Sequence, residues 1–157
     1  MLSSAAPSTV ASSLQRWILP SAEILTVGIP FCAFKLLTGH IALGSPFAPL
    51  GYALLALGSI DLVLNLVNLV ALLAMRRRIS AVCLTEAALR RRGSDDIGLA
   101  LDVFLSFGLV ALVVGCGLLL RLPAWALPIW NIAVVLNVLG AGVGRLFDAV
   151  RRDRAAA

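Results

Sequence analysis

Three polar residues share one face of a long apolar segment, where they could carry proton or cation chemistry. Asp61, Asn65 and Asn68 are spaced i, i+4 and i+7, which places them on the same side of an α-helix. A carboxylate in the middle of a membrane span costs about 2.5–3.5 kcal/mol to insert, and the surrounding leucines offset that cost. Polar groups at such a depth line ion pathways or contact a partner helix. We therefore expect this face to meet another helix or a water-filled cavity.

Lys35, the single lysine of the chain, is the predicted partner of Asp61. The two residues belong to consecutive apolar segments and lie about 12–16 Å from the ends that the connecting loop joins, at a rise of 1.5 Å per residue. A lysine side chain can span the difference in depth, so the sequence predicts an ion pair. A buried ion pair often fixes only the register of two helices, and a structural role competes with a role in transport.

Two further contacts follow from the same depth arithmetic. Asp102 lies near the start of the third segment and Arg145 near the end of the fourth, so both are close to the same side of the membrane. An arginine there can reach back toward a carboxylate. Asn65 and Asn137 lie at about the same depth in the second and fourth segments. An Asp102–Arg145 ion pair and an Asn65–Asn137 hydrogen bond are therefore predicted.

The composition places these residues in a membrane protein. Hydrophobic residues make up 61% of the 157 residues and charged residues 13%, compared with about 45–50% and about 25% in soluble domains. Such a chain has too little polar surface to face water on all sides, so lipid must surround it. The net charge of +5 comes from arginines beside apolar runs, which is typical of membrane orientation rather than of nucleic-acid binding.

Four apolar runs are each longer than the about 20 residues that a helix needs to cross a bilayer. Short loops join the first run to the second and the third to the fourth, which favours two antiparallel hairpins. The predicted fold class is all-α, a four-helix transmembrane bundle. The runs are 21–43, 50–75, 97–120 and 124–147.

The basic residues predict the orientation of the bundle. All of them except Lys35 and Arg121 lie before the first run, between the second and third, or at and beyond the end of the fourth. Basic loops stay in the cytoplasm, so both termini are predicted to be cytoplasmic. Trp17 is predicted to anchor the cytoplasmic surface, and Trp125 and Trp130 the opposite one. The use of arginine in place of lysine is typical of a GC-rich genome and suggests a bacterium. The membrane is therefore predicted to be a bacterial inner membrane.

The segment between the second and third runs is predicted to form an amphipathic helix over 79–92 on the cytoplasmic surface. The rest of the chain divides into a flexible tail at 1–16, a single membrane domain at 17–150 and a basic tail at 151–157. Arginines flanking the amphipathic helix are expected to bind anionic lipids. They are Arg76, Arg77, Arg78, Arg90, Arg91 and Arg92.

The remaining motifs favour packing over catalysis. Gly140 and Gly144 form a GxxxG pattern, which allows close helix approach within the chain or between two copies. His40 is the single histidine, and the three cysteines form no CxxC pair, so no metal site or cofactor is predicted. Signatures of hydrolases, metalloproteases and nucleotide-binding loops are absent from the sequence, and no catalytic residue is predicted.

Two classes of function fit these observations. The first is a non-enzymatic subunit or scaffold of a membrane complex, bound to another membrane protein or to a second copy of itself. The second is a small oligomeric transporter or channel that uses the polar face of the second run. A dry, hydrogen-bonded polar face favours the scaffold, and a cavity that reaches water favours transport.

Overall fold

The computed structural model of the chain describes residues 17–90 and 95–156 and, within the second range, the side chains of 97–144 and 146. Every secondary-structure element in these residues is helical. Four of the helices are long and apolar enough to cross a membrane. The predicted all-α fold with four such helices is therefore confirmed, and the side of the membrane that each end faces stays a prediction.

The described residues form five helices, and a short 3₁₀ turn over Leu118–Arg121 separates the last two. We number them α1 to α5, counting as α1 the continuous first helix with its π-helical turn. Only α3 is too short to cross a membrane. The bounds are Leu19–Leu43 for α1, Ala48–Met75 for α2, Leu84–Arg90 for α3, Asp95–Gly115 for α4 and Ala126–Ala156 for α5.

Helix α1 is the centre of the bundle. In an apolar stretch of 18 residues, half of the residues of α1 are buried. The share is 22–28% in the corresponding stretches of α2, α4 and α5. Helix α2 packs along most of its length, and α4 and α5 contact its other sides. The outer three helices therefore keep broad apolar faces for lipid or for another protein.

Glycines allow α1 and α2 to touch through their backbones. A Cβ atom on Gly39 would lie 2.9 Å from the carbonyl oxygen of Gly51, and one on Gly51 would lie 2.8 Å from that of Gly39. Any larger residue at either position would force the helices apart. Gly140 of α5 makes a similar contact with the Thr26 side chain of α1, whereas a Cβ on Gly144 would meet open space. One half of the GxxxG pattern therefore packs inside the chain.

The π-helical turn Ile24–Gly28 widens α1 just before Pro30. Within this turn the Ile29 amide donates to the carbonyl oxygen of Ile24, five residues earlier. Pro30 has no amide hydrogen and cannot continue a regular ladder of hydrogen bonds. The π turn lies directly before this proline, and π turns within helices often mark functional sites.

One side of α1 carries an aromatic core. Phe34 of α1 packs against Trp130 of α5 with ring centroids 4.9 Å apart, and Phe31 lies beside Phe34. The prediction that Trp130 anchors a membrane surface is wrong, because this side chain is only 2% exposed. Its position on the inward face of α5 decides its environment. Trp125 is 61% exposed, as an anchor requires.

The predicted bounds are wrong in two places. The third apolar run was expected to continue to residue 120, but α4 ends at Gly115 because Gly117 adopts a left-handed conformation with φ 66°. The expected amphipathic helix over 79–92 is helical only at Leu84–Arg90, with residues 91–94 outside the described part of the chain. Residues 79–83 are not helical and pass into the bundle.

Candidate functional site

Three charged side chains from three helices meet inside the bundle. Lys35 Nζ on α1 donates to Asp61 Oδ2 on α2 at 2.6 Å and also to Asp102 Oδ1 on α4. Lys35 and Asp61 are each 1% exposed and Asp102 is 6% exposed. The predicted Lys35–Asp61 contact is present, and Asp102 joins it. We call these three residues the ion cluster.

Asp102 was expected to pair with Arg145, whose side chain lies outside the part that the structure describes. The partner of Asp102 in the structure is Lys35. The sequence estimate used only depth along the helices, and it missed that Asp102 faces α1. A carboxylate on this inward face meets the lysine of the central helix instead of snorkelling toward the membrane surface.

Asn68 binds the backbone of the segment that follows α2. Its Oδ1 accepts hydrogen bonds from the amides of Ile79 at 3.2 Å and Ser80 at 3.0 Å. Its Nδ2 donates to the carbonyl oxygens of Ser80 at 3.1 Å and Ala81 at 2.9 Å. Both ends of this amide are therefore satisfied by backbone groups, which makes Asn68 a structural residue.

The same face of α2 continues to bind this segment deeper in the bundle. Asn65 Nδ2 donates to the Val82 carbonyl oxygen at 2.8 Å, and Asp61 Oδ1 accepts from the Leu84 amide at 2.6 Å. Residues 79–84 thus run antiparallel to α2 toward its middle, and we call them the entering segment. The i, i+4, i+7 spacing places one polar side chain on each of three successive turns of α2. Each of these side chains hydrogen-bonds to the backbone of the entering segment.

This arrangement meets a requirement of any non-helical chain at membrane depth. Backbone groups there have no water to bind, and each unsatisfied group costs several kcal/mol. The start of α3 is bound in the same way: Glu86 Oε2 accepts from the Val82 amide at 2.8 Å, and Cys83 Sγ accepts from the Glu86 amide at 3.4 Å. This pair resembles a capping box.

A cavity of about 70 Å³ lies beside the ion cluster, between α1, α2, α4 and the entering segment. Asp61, Asn65 and Asp102 line it together with Cys32 and other residues. Its volume has room for a few water molecules. The polar face of α2 therefore borders a cavity as well as the entering segment.

The cavity reaches the surface at a second ion pair. Glu23 and Arg78 both line it, and their side chains are joined by a 2.6 Å contact between Arg78 Nη2 and Glu23 Oε2. These side chains are 52% and 36% exposed. The mouth thus lies at the end of the bundle that carries Arg76, Arg77 and Arg78, which we call the arginine end.

The predicted Asn65–Asn137 hydrogen bond is wrong. Asn65 Oδ1 and Asn137 Nδ2 are both buried without a hydrogen-bond partner, and Asn65 Nδ2 binds backbone carbonyls of α2 and the entering segment. Helix α1 lies between the two residues: Gly28 contacts Asn65 on one side, while Thr26 contacts Gly140 of α5 on the other. Equal depth in the bilayer does not make two helices neighbours.

The cysteines and the histidine occupy different environments. Cys32 and Cys83 are buried and line the cavity, whereas Cys116 is exposed. Burial raises the pKa of the Cys83 thiol above its ordinary value. His40 lies at the opposite end from the arginines, with its ring centroid 6.0 Å from that of Trp125.

Arg76 and Arg78 make contacts within the described part of the chain. The Arg76 guanidinium lies 5.7 Å from the ring centroid of Trp17, a cation–π geometry. Arg78 pairs with Glu23 as described above, and the side chains of Arg91 and Arg92 lie outside the described residues. Binding of anionic lipids by this group of arginines stays a prediction.

Comparison with protein-family models, with curated proteins and with solved structures found no match to this chain. The class of the protein therefore follows from its own helices. Its secondary structure is all helical over residues 17–90 and 95–156, and four helices there suit a multi-pass membrane protein.

Proposed function

We propose that the protein is a non-enzymatic transporter of a small cation in the inner membrane of a bacterium. The observation that carries this proposal is the cavity that connects the buried ion cluster with the half-exposed Glu23–Arg78 pair. Buried carboxylates beside a cavity that reaches the surface are a recurring arrangement in ion and proton pathways. Only 22–28% of the residues in the apolar stretches of α2, α4 and α5 are buried, so we propose that the active form is an oligomer in which other copies cover these faces.

The orientation follows from the arginines. We propose that both termini and the arginine end face the cytoplasm, because basic loops are retained there. The cavity mouth would then open to the cytoplasm, beside a leaflet whose anionic lipids attract Arg77 and its neighbours. A negative surface potential of this kind also concentrates cations close to the mouth.

The opposite half of the bundle is closed. Phe31, Phe34 and Trp130 fill one side of α1, and the backbone contact between Gly39 and Gly51 closes another. Release of an ion on that side requires a second conformation, as in transporters whose binding site lies near the middle of the membrane. The π turn of α1 and the irregular entering segment are the places where the backbone is least regular, so we propose that the movement occurs there.

Flux measurements on reconstituted protein test this proposal. Liposomes that contain the full-length chain should take up or release a cation down an imposed gradient, and Asp61→Asn should abolish the flux. His40→Gln, at the far end of the bundle, is the matched control and should keep the wild-type rate. Absence of any cation or proton flux in liposomes with correctly folded protein would reject the transport function.

A scaffold is the second candidate, and the full hydrogen bonding of Asn68 favours it. That residue is used entirely to hold the entering segment, and the outer helices keep apolar faces that another membrane protein can cover. The test is the mass and composition of the complex purified from its own membrane in mild detergent. A stoichiometric second protein would support the scaffold, and a homo-oligomer would support the transporter.

A further inference from the structure

We propose that the cavity beside the ion cluster binds one monovalent metal cation, for which sodium is the probe. The ligands are the Asp61 and Asp102 carboxylates and the side-chain oxygen of Asn65. This inference rests on the proposed transport function, because it names the ion that the same cavity takes. Three independent features of the site carry it: its charge, an amide oxygen without a partner, and its donor atoms.

The charge around the cavity is not balanced. Within the ion cluster one ammonium group faces two carboxylates, since Lys35 contacts both Asp61 and Asp102. The other charged residues that line the cavity, Glu23 and Arg78, neutralise each other. The ion cluster and the charged residues of the cavity wall therefore leave one excess negative charge beside a buried cavity, which is costly without a counter-ion. A single monovalent cation balances it, whereas a divalent cation would reverse it.

The Asn65 side chain presents an unsatisfied oxygen at this place. Its Nδ2 donates to two carbonyl oxygens, those of Asp61 and Val82, both at 2.8 Å. The amide cannot be turned over, because Oδ1 would then face two acceptors. Oδ1 has no hydrogen-bond partner although the residue is only 2% exposed. It lies against Gly28, which also lines the cavity.

The chemistry of these donors distinguishes a metal cation from a proton. A proton can neutralise a carboxylate, but an amide oxygen is not basic and stays without a partner. A hard cation satisfies both kinds of oxygen at once, since carboxylate and amide oxygens are its usual protein ligands. Zinc is held mainly by cysteine and histidine, whereas the three donors proposed here are all oxygens, so they do not suit zinc.

Lys35 gives the site a competing occupant. Its ammonium group holds one oxygen of each carboxylate in the present structure. A cation that enters from the Glu23–Arg78 mouth would share these carboxylates with the ammonium group and weaken its hold on α2 and α4. Binding at this site is thereby linked to the contacts that join three helices, and the link provides a route from binding to the conformational change of transport.

Sodium binding to the purified full-length protein tests the inference. The protein in detergent is titrated with NaCl by calorimetry, with choline chloride keeping the ionic strength constant. We expect saturable binding of one sodium ion per chain, and a higher Tm in NaCl than in choline chloride. The Asp102→Asn variant removes the excess negative charge and should bind sodium at least about tenfold more weakly. Phe104→Ala, on the lipid-facing side of the same helix, should bind like the wild type.

Three results would overturn the site. They are no saturable sodium binding and no change of Tm in the wild type, equal effects of sodium and choline, or unchanged affinity in Asp102→Asn. The wild-type comparison holds even where the variant fails to fold. Cation flux in liposomes without saturable sodium binding would reject this site and keep the transport function. Saturable binding without flux would reject transport and keep the site.

Discussion

The two sides of α1 contact their neighbours through different kinds of interaction. On one side Phe31 and Phe34 pack against Trp130 and neighbouring aliphatic residues without any charge. On the other side Lys35 meets Asp61 and Asp102, and the polar face of α2 holds an irregular backbone segment. Both sides are equally buried, so burial alone does not distinguish them.

The difference lies in what each side would lose in a membrane. Lipid tails are as apolar as a leucine side chain, so aromatic packing gains only the close fit between helices. A buried charge has no alternative partner in lipid, and its contacts are therefore much more costly to break. We expect the charged side of α1 to contribute most to the stability of the fold and to the choice of neighbouring helices. The aromatic side should contribute less to both.

Removal of the lysine should have the largest effect. Lys35→Met leaves two neighbouring buried carboxylates without a counter-charge, and we expect a loss of about 3–5 kcal/mol in the free energy of unfolding. The measurement is equilibrium unfolding in mixed detergent and SDS, followed by circular dichroism. The triple variant Lys35→Met, Asp61→Asn, Asp102→Asn has no buried charge and should recover most of this loss. If it is no more stable than Lys35→Met alone, the charges are not the cause.

Truncation of the aromatic side should have a smaller effect. Phe34→Ala opens a cavity against Trp130, which costs about 3–5 kcal/mol in a water-soluble core. In lipid the transfer part of this cost is absent, so we expect about 1–3 kcal/mol in the same unfolding assay. Phe104→Ala is the matched control, because this side chain is 74% exposed. A loss for Phe34→Ala as large as that for Lys35→Met would contradict the difference between the two sides.

The smallest effect concerns reactivity at the cavity wall. The thiolate is the form that reacts with alkylating reagents, and burial raises the pKa of Cys83 above its ordinary value. The rate of alkylation by iodoacetamide should therefore rise about tenfold per pH unit past the ordinary thiol pKa of about 8.5. The measurement uses a variant with Cys32 and Cys116 replaced by serine. The same variant unfolded in SDS is the reference, and a folded profile that levels off at lower pH than this reference would contradict the prediction.

Simple geometry predicted the centre of the site and missed its surroundings. The Lys35–Asp61 contact followed from a short loop and a known helix rise, because α1 and α2 do pack as an antiparallel pair along most of their length. Depth gives no information on the order of helices around the bundle, so it missed that Asp102 faces Lys35 and it wrongly predicted the Asn65–Asn137 hydrogen bond. Both required knowing that α1 lies in the centre.

The entering segment was missed for a different reason. Residues 79–92 have an apolar stripe of helical period, and local periodicity favoured a surface helix. Contacts with Asn68, Asn65 and Asp61 supply enough hydrogen bonds for residues 79–83 to leave the helical conformation. The pattern that could have predicted this segment lies on α2. Three polar side chains recur there about once per turn and together supply hydrogen-bond donors and acceptors. A pattern of that kind can bind a backbone as well as a ligand.

The central helix is also the first of the four to be synthesised. Lys35 enters the membrane before either of its carboxylate partners has left the ribosome, and a lone lysine at that depth is costly. Asp61 arrives with the next helix, after a short loop, and Asp102 only after the entering segment has been made. Each newly made helix therefore meets a completed surface of α1 on which to dock. The order of the helices in the chain is thus also the order in which they can pack onto α1. Lys35 is unpaired only until the next helix, which carries Asp61, has been made.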